Sequence, residues 1–146
     1  MPDPVFETTL KEAIAAALNT AGVATWRATG AYEPGEVGIF MNVLPTMPST
    51  AIVITDYAVD DDVSGRDDVI GIQFKYRGAP DVKAGDAIKD GIFRLFHARQ
   101  PGMLGSVKVT QCYRRSGTSL GQDENGRLSG TENYYFTVYR PTDNRI

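Results

Sequence analysis

The stretch that decides the fold is Ser106–Arg140, SVKVTQCYRRSGTSLGQDENGRLSGTENYYFTVYR. Two runs rich in β-branched and aromatic residues flank Asp123-Glu124-Asn125-Gly126, and Asn-Gly between such runs is a strong hairpin signal. A two-residue type I′ turn is expected, with positive φ at Asn125 and Gly126. Glu124 then faces Arg127, and odd positions on the first arm face even positions on the second. That register gathers Val107, Val109 and Tyr113 with Tyr134, Phe136 and Val138 on one apolar face. Cys112 alternates with that face and reads as an inert strand thiol. Gly117 and Gly130 interrupt the arms, so a bulge is expected near one of them.

Upstream of the hairpin the apolar periodicity changes twice from helix to strand. Phe6, Leu10, Ala13, Ile14, Ala17, Leu18 and Ala21 recur at spacings of three and four, predicting a helix over 5–21 that Gly22 stops. Asp3 is the expected N-cap and Pro4 the first helical residue. Val23–Ala28 and Ile39–Val43 are short strand candidates, separated by a glycine-rich loop over 29–38. Leu44-Pro45-Thr46-Met47-Pro48 excludes a helix; its apolar side chains suit either an exposed docking loop or a connection folded onto the core.

Thr50–Tyr57 is nearly all apolar and predicts a central strand buried on both faces. Ala58–Asp68 follows as an acidic loop with Asp60, Asp61, Asp62, Asp67 and Asp68. It lacks the closing glutamate of a calcium loop and reads as a solvated connection. Val69–Arg77 alternates, with Ile70, Ile72, Phe74 and Tyr76 inward and Gln73, Lys75 and Arg77 outward. A second helix starts at Asp81 as N-cap, carries Ala84, Ile88, Ile92, Leu95 and Phe96 inward, and ends before Gln100-Pro101-Gly102. Gly91 within it signals a close approach of another element.

The expected fold class is α+β: two helices packed on one face of a mixed, mostly antiparallel sheet, with a long C-terminal β-hairpin. One domain over 1–146 fits a chain of 146 residues with 42% apolar and 23% charged content. A net charge of −3 gives no reason to expect nucleic-acid binding as the main activity. No apolar run approaches the roughly 20 residues of a membrane span, and no signal-peptide pattern is visible. The single cysteine rules out an internal disulfide and fits a reducing compartment.

Motifs for catalysis are almost absent. There is no phosphate-binding glycine loop and no nucleophile elbow. The single histidine, His97, falls in the last turn of a helix, where it reads as structural. One pattern remains. Asp56 closes the buried strand, and Gln73-Phe74-Lys75 lies on the next one. This resembles the divalent-metal nuclease core of the restriction-endonuclease superfamily, in which carboxylates hold Mg²⁺ and the lysine orients the attacking water. Gln73 stands where that pattern has an acid, and a solvated strand face explains Gln73 and Lys75 equally well. The expectation is therefore a non-enzyme without cofactor or metal.

Taken in order, the motifs resemble a family. The hairpin reads L-G-x-D-E-x-G-R (Leu120, Gly121, Asp123, Glu124, Gly126, Arg127) and then N-Y-x-F-x-V (Asn133, Tyr134, Phe136, Val138). Before it come L-P-x-x-P at Leu44–Pro48, a strand ending in Tyr57, and Arg77-Gly78 leading into a helix. This combination is similar to the tail terminator, or minor capsid, proteins of long-tailed bacteriophages. The resemblance implies a virion structural protein at the head–tail junction, assembled in the bacterial cytoplasm. It implies a hexameric ring that caps the tail tube, ends its polymerisation and meets the head–neck connector. Another head–tail neck protein of similar ring type is the alternative.

The partners so implied are further copies of this chain, the tail tube protein and the connector. Double-stranded DNA would pass through the lumen without specific binding, and no membrane is involved. A closed ring needs a heterologous interface, for which open sheet edges and hairpins are suited. On this resemblance the expected contact residues are Leu120, Asp123, Glu124, Asn125 and Arg127 at a protruding hairpin tip. Gln73, Lys75, Arg77, Tyr135, Thr137 and Tyr139 on the polar sheet face are further candidates. The acidic loop is a candidate lining for the lumen, against its default as an ordinary solvated loop.

Overall fold

In the computed structural model, which describes residues 5–78 and 81–145, the two helices and the long hairpin share one sheet. Helix α1 covers Phe6–Thr20 and buries Leu10, Ile14 and Leu18. Gly22 ends it at φ 76°, and the Val23 amide donates back to the Leu18 carbonyl. The cap expected at Asp3 and Pro4 lies outside the described residues. Helix α2 covers Val82–Phe96, and the Asp81 carboxylate accepts from the Lys83 amide at 3.0 Å, as its N-cap position requires. A Cβ at Gly91 would overlap the Val23 side chain, so the close approach is to the chain leaving α1.

The strands are β1 Gly38–Met41, β2 Ala51–Asp60, β3 Asp68–Arg77, β4 Gly102–Leu104, β5 Val107–Gln122 and β6 Leu128–Val138. They form one sheet in the order β1-β2-β3-β6-β5-β4, in which only β1 and β2 are parallel. Both helices lie against one face. There Ile52, Ile54, Ile72, Phe74, Tyr134 and Phe136 are fully enclosed, and Phe96 of α2 packs on Phe74 and Phe136 with ring centroids 5.7 and 5.6 Å apart. Burial of each such side chain stabilises the fold by about 1.5–3 kcal/mol. Of the run Thr50–Tyr57 expected to be buried on both faces, Ala51–Ile54 are buried, whereas Thr55 and Asp56 are half-buried and Tyr57 is exposed, because β1 stops covering β2 at Ile54.

Three elements differ from expectation. Strand β4 has three residues, too few to show a period. Val23–Ala28 contributes only an isolated parallel bridge, Thr25 to Gly38. Strand β2 continues to Asp60, so the first acid of the expected loop sits on a strand. Pairing with β3 carries it there, with a register shift between Ala58 and Asp60.

The hairpin forms with a different turn. The Asp123 amide donates to the Arg127 carbonyl and the Gly126 amide to the Asp123 carbonyl, both at 3.0 Å. The loop is therefore Glu124-Asn125-Gly126, and Gly126 alone has positive φ, at 74°. The Asp123 carboxylate accepts from the Asn125 and Arg127 amides, each at 2.9 Å, and this side-chain bonding selects the three-residue loop over type I′. Three bulges, at Thr110, Arg115 and Leu120, then each shift the register by one. The last lies opposite Gly130 and Ser129, close to the glycine where a bulge is expected.

Each bulge reverses which face a residue joins. Val107 and Val109 face the core as predicted, but past Thr110 the pairs are Cys112 with Phe136 and Arg114 with Tyr134. Cys112 is thus a core residue, 1% exposed, and Tyr113 joins Tyr135 on the opposite face, ring centroids 5.7 Å apart.

Candidate assembly surface

The hairpin extends past its core. On β5 every residue from Arg114 to Gln122 is exposed, including Leu120. On its outer edge β4 covers only Val107–Val109. The end of α2 covers the next few residues: the Ala98 amide donates to the Cys112 carbonyl at 2.8 Å, and the Arg114 amide donates to His97 Nδ1 at 3.1 Å. Beyond Arg114, no described strand pairs with this edge. An open strand edge of that length is a template for pairing with another chain.

The tip is tied down. Arg127 Nε donates to Asp123 Oδ2 at 2.7 Å, and Arg127 Nη1 donates to the Thr46 carbonyl at 3.1 Å. The backbone amide of Arg127, aided by its guanidinium, holds the Asp123 carboxyl below the usual range. Asp123 and Arg127 are therefore paired with each other within the tip, where Asp123 stays exposed like Leu120, Glu124 and Asn125.

Arg77 corrects its expected exposure. It is 6% exposed, and its guanidinium donates to the carbonyls of Ser49 and Pro48 at 2.7 Å, Pro45 at 2.9 Å and Thr46 at 3.1 Å. Strand alternation gives its side of the sheet correctly, but the proline-rich loop folds over that end and closes on it. The backbone of Leu44–Pro48 is thus anchored through its carbonyls, while the Met47 side chain stays exposed. Desolvation lowers the affinity of Arg77 for its proton, and the four carbonyl dipoles supply the compensating bonds.

The sheet face away from the helices carries half-exposed Gln73, Lys75, Thr137 and Tyr135. The Tyr57 ring lies over Gly71 there, its hydroxyl 3.3 Å from Asn133 Oδ1. Tyr139 follows β6, its amide donating to the Lys108 carbonyl at 3.1 Å. The glycine-rich segment 29–38 packs Tyr32 on Phe40, centroids 5.1 Å apart, and the Tyr32 hydroxyl donates to the Ile39 carbonyl at 2.7 Å. This blunts the outer edge of β1.

Within the acidic segment most carboxylates have local partners. Asp68 is buried against Arg145 at 2.8 Å, Asp62 accepts from the Ser64 hydroxyl at 2.6 Å and the Arg66 amide at 2.7 Å, and Asp67 accepts from Thr110 Oγ1 at 2.9 Å. Among the described residues no group of three or more His, Cys, Asp or Glu is placed to hold a metal ion.

The nuclease-like pattern comes apart in space. Directly opposed residues of neighbouring strands share a face. Asp56 opposes Ile72 on the helix side, whereas Gln73 opposes Thr55 and Lys75 opposes Val53 on the other side. The sheet separates them, and Asp56 is instead bonded to Lys11 Nζ of α1 at 2.8 Å. Cys112 is equally unsuited to chemistry, because burial pushes its thiol up to about 12.

One buried group stands out that sequence reading missed. Glu132 opposes Gly117 and is 5% exposed, with Oε2 lacking a hydrogen-bond partner among the described residues and the Arg114 guanidinium 3.9 Å away. Desolvation raises its pKa against the opposing pull of Arg114 and Lys89. It borders a polar recess of about 490 Å³ that opens beside β5. The only sequence signal is the pair of glycines, Gly117 and Gly130, which leave room for Glu132 and for the Tyr76 hydroxyl.

The fold is shared with a chain of the virion of a native gene transfer agent particle, at a TM-score of 0.61 and 9% identity, covering 92% of this chain and 95% of that one. No curated protein sequence matches this chain. The sequence model of the bacteriophage tail terminator proteins matches residues 17–140, from the end of α1 through the whole sheet. The chain belongs to the bacteriophage tail terminator protein family, whose members are structural proteins of the phage tail.

Proposed function

We propose that this protein closes the phage tail tube as a ring, with six copies as the expected number, ending tube growth and presenting its far side to the head–neck connector. Its place is then the head–tail junction of the virion, with DNA passing through the lumen unbound. The observation that carries the reading is the outer half of β5, exposed from Arg114 to Gln122 and open along its outer edge. A chain working alone gains nothing from such a strand, whereas a heterologous ring uses one open edge per copy. Leu120, Glu124 and Asn125 at the tip, and Gln73, Lys75, Tyr135 and Tyr139 on the uncovered face, are the side chains left to meet neighbours. Asp123, Arg127 and Arg77 support that surface from within.

The test is electron microscopy and mass-resolved sizing of the protein mixed with purified tail tubes. Rings at one tube end, and arrest of tube elongation, are expected. Tubes that elongate normally with no bound density overturn the reading.

A further inference from the structure

The two long edges of the sheet carry opposite charge. From Val107 to Gln122, β5 holds Lys108, Arg114 and Arg115 and no acid. Arg115 is the bulged residue between the paired Arg114 and Ser116, and both arginines line the polar recess, together with Lys89, Ser116 and Thr118 and with Glu132 at its edge. Arg114 is fixed over the Phe93 ring at 4.7 Å. Arg115 is exposed and has no hydrogen-bond or ion-pair partner among the described residues. At the opposite edge β2 ends in Asp60, followed by Asp61, both exposed and likewise unbonded. Asp56, Asp62, Asp67 and Asp68 nearby are already engaged.

The open stretches also begin at one level of the sheet. β1 covers β2 only as far as Ile54, where the Asn42 amide donates to the Ile54 carbonyl. Two residues further, Asp56 lies across Ile72 and Tyr134 from Arg114, and Asp60 lies across Val69 and Thr137 from Gln111, so a contact between Asp60 and Arg114 of different copies needs those copies offset along the strands. β2 and β5 run in opposite directions, so neighbouring copies related by rotation would bring them together antiparallel.

We propose that Asp60 and Asp61 of one copy dock at the Arg114–Arg115 bulge of the next copy, so that a second copy of this chain occupies the recess. The inference rests on the ring reading above and names the charge pair that sets its register. Opposite charges at the two edges favour head-to-tail contact over contact between like edges.

The experiment is charge reversal in the full chain: Arg115→Glu, Asp60→Lys with Asp61→Lys, and the combination of all three. Rings are scored by mass-resolved sizing and microscopy, with and without tubes, and circular dichroism monitors folding. Each reversal should weaken ring formation about tenfold or more while leaving the fold unchanged, and the combination should restore it. If wild-type rings form and the reversals assemble equally well, the charge pair is wrong and the ring stands. If wild type caps tubes without forming rings, the ring reading fails and this pairing with it. Rings that persist in Arg115→Glu while duplex DNA binding falls would assign the recess to nucleic acid and overturn the proposal.

Discussion

The Glu132 carboxylate lies across Gly117, its partner on β5, in space that a Cβ there would fill. Its Oε2 has no hydrogen bond among the described residues, and Arg114 stops 3.9 Å short of it. A carboxylate in that position costs stability when ionised and little when protonated.

Glu132→Gln should therefore stabilise the monomer at neutral pH, by about 1 kcal/mol. The sign with pH follows from the raised pKa. The folded state holds the proton more tightly than the unfolded chain, so stability is fullest below the ordinary glutamate value of 4.5 and is lost as pH rises through the folded pKa. Denaturant midpoints at several pH values should show the gain of the glutamine variant growing from acid to neutral; a gain independent of pH would refute the account.

Gly117→Ala should destabilise by about 1–3 kcal/mol through overlap with Glu132. Truncating Glu132 to alanine in the same chain should recover most of the loss. A double-mutant cycle measures the coupling, and additive effects would show that the carboxylate does not occupy this space.

Arg77→Met keeps a stem but removes the guanidinium donors to the loop carbonyls at 45, 46, 48 and 49, leaving only the Arg127 bond to the Thr46 carbonyl. A loss of about 3 kcal/mol is expected, since these are charge-assisted bonds to otherwise enclosed acceptors. Amide exchange should speed up first in residues 46–49 and at the hairpin tip, which Arg127 ties to the same loop. Protection unchanged there would separate the loop from Arg77.

Arg145 holds the buried Asp68 carboxyl below its usual range, chiefly through its side-chain hydrogen bonds. The corresponding stability is present above the unfolded pKa and is lost as pH falls through the depressed folded one. Asp68→Asn should lower the thermal midpoint at neutral pH, and the difference from wild type should shrink below about pH 3.8. A difference that persists undiminished in acid would show that charge is not its origin.

Elements whose signals are local are legible in the amino acids alone. The 3.6-residue stripe of α1, the Asp81 cap, the alternation of Ile70, Ile72, Phe74 and Tyr76, and the place of the hairpin turn, though not its three-residue loop, all depend on neighbours in the chain. The order of these motifs was also enough to show the family resemblance. Tertiary structure decided what depends on residues far apart. The bulge at Thr110 moved Cys112 into the core and Tyr113 out of it, because alternation can be counted along one strand but an unpaired residue is defined only by its partner. Burial of Arg77 required a loop some thirty residues earlier to fold over it. Asp56 and Lys75 looked like one site in sequence until pairing placed them on opposite faces of the sheet. Beyond Arg114, the hairpin that set the register is an open, basic edge, and only the strand order puts an acidic corner at the other side of the molecule.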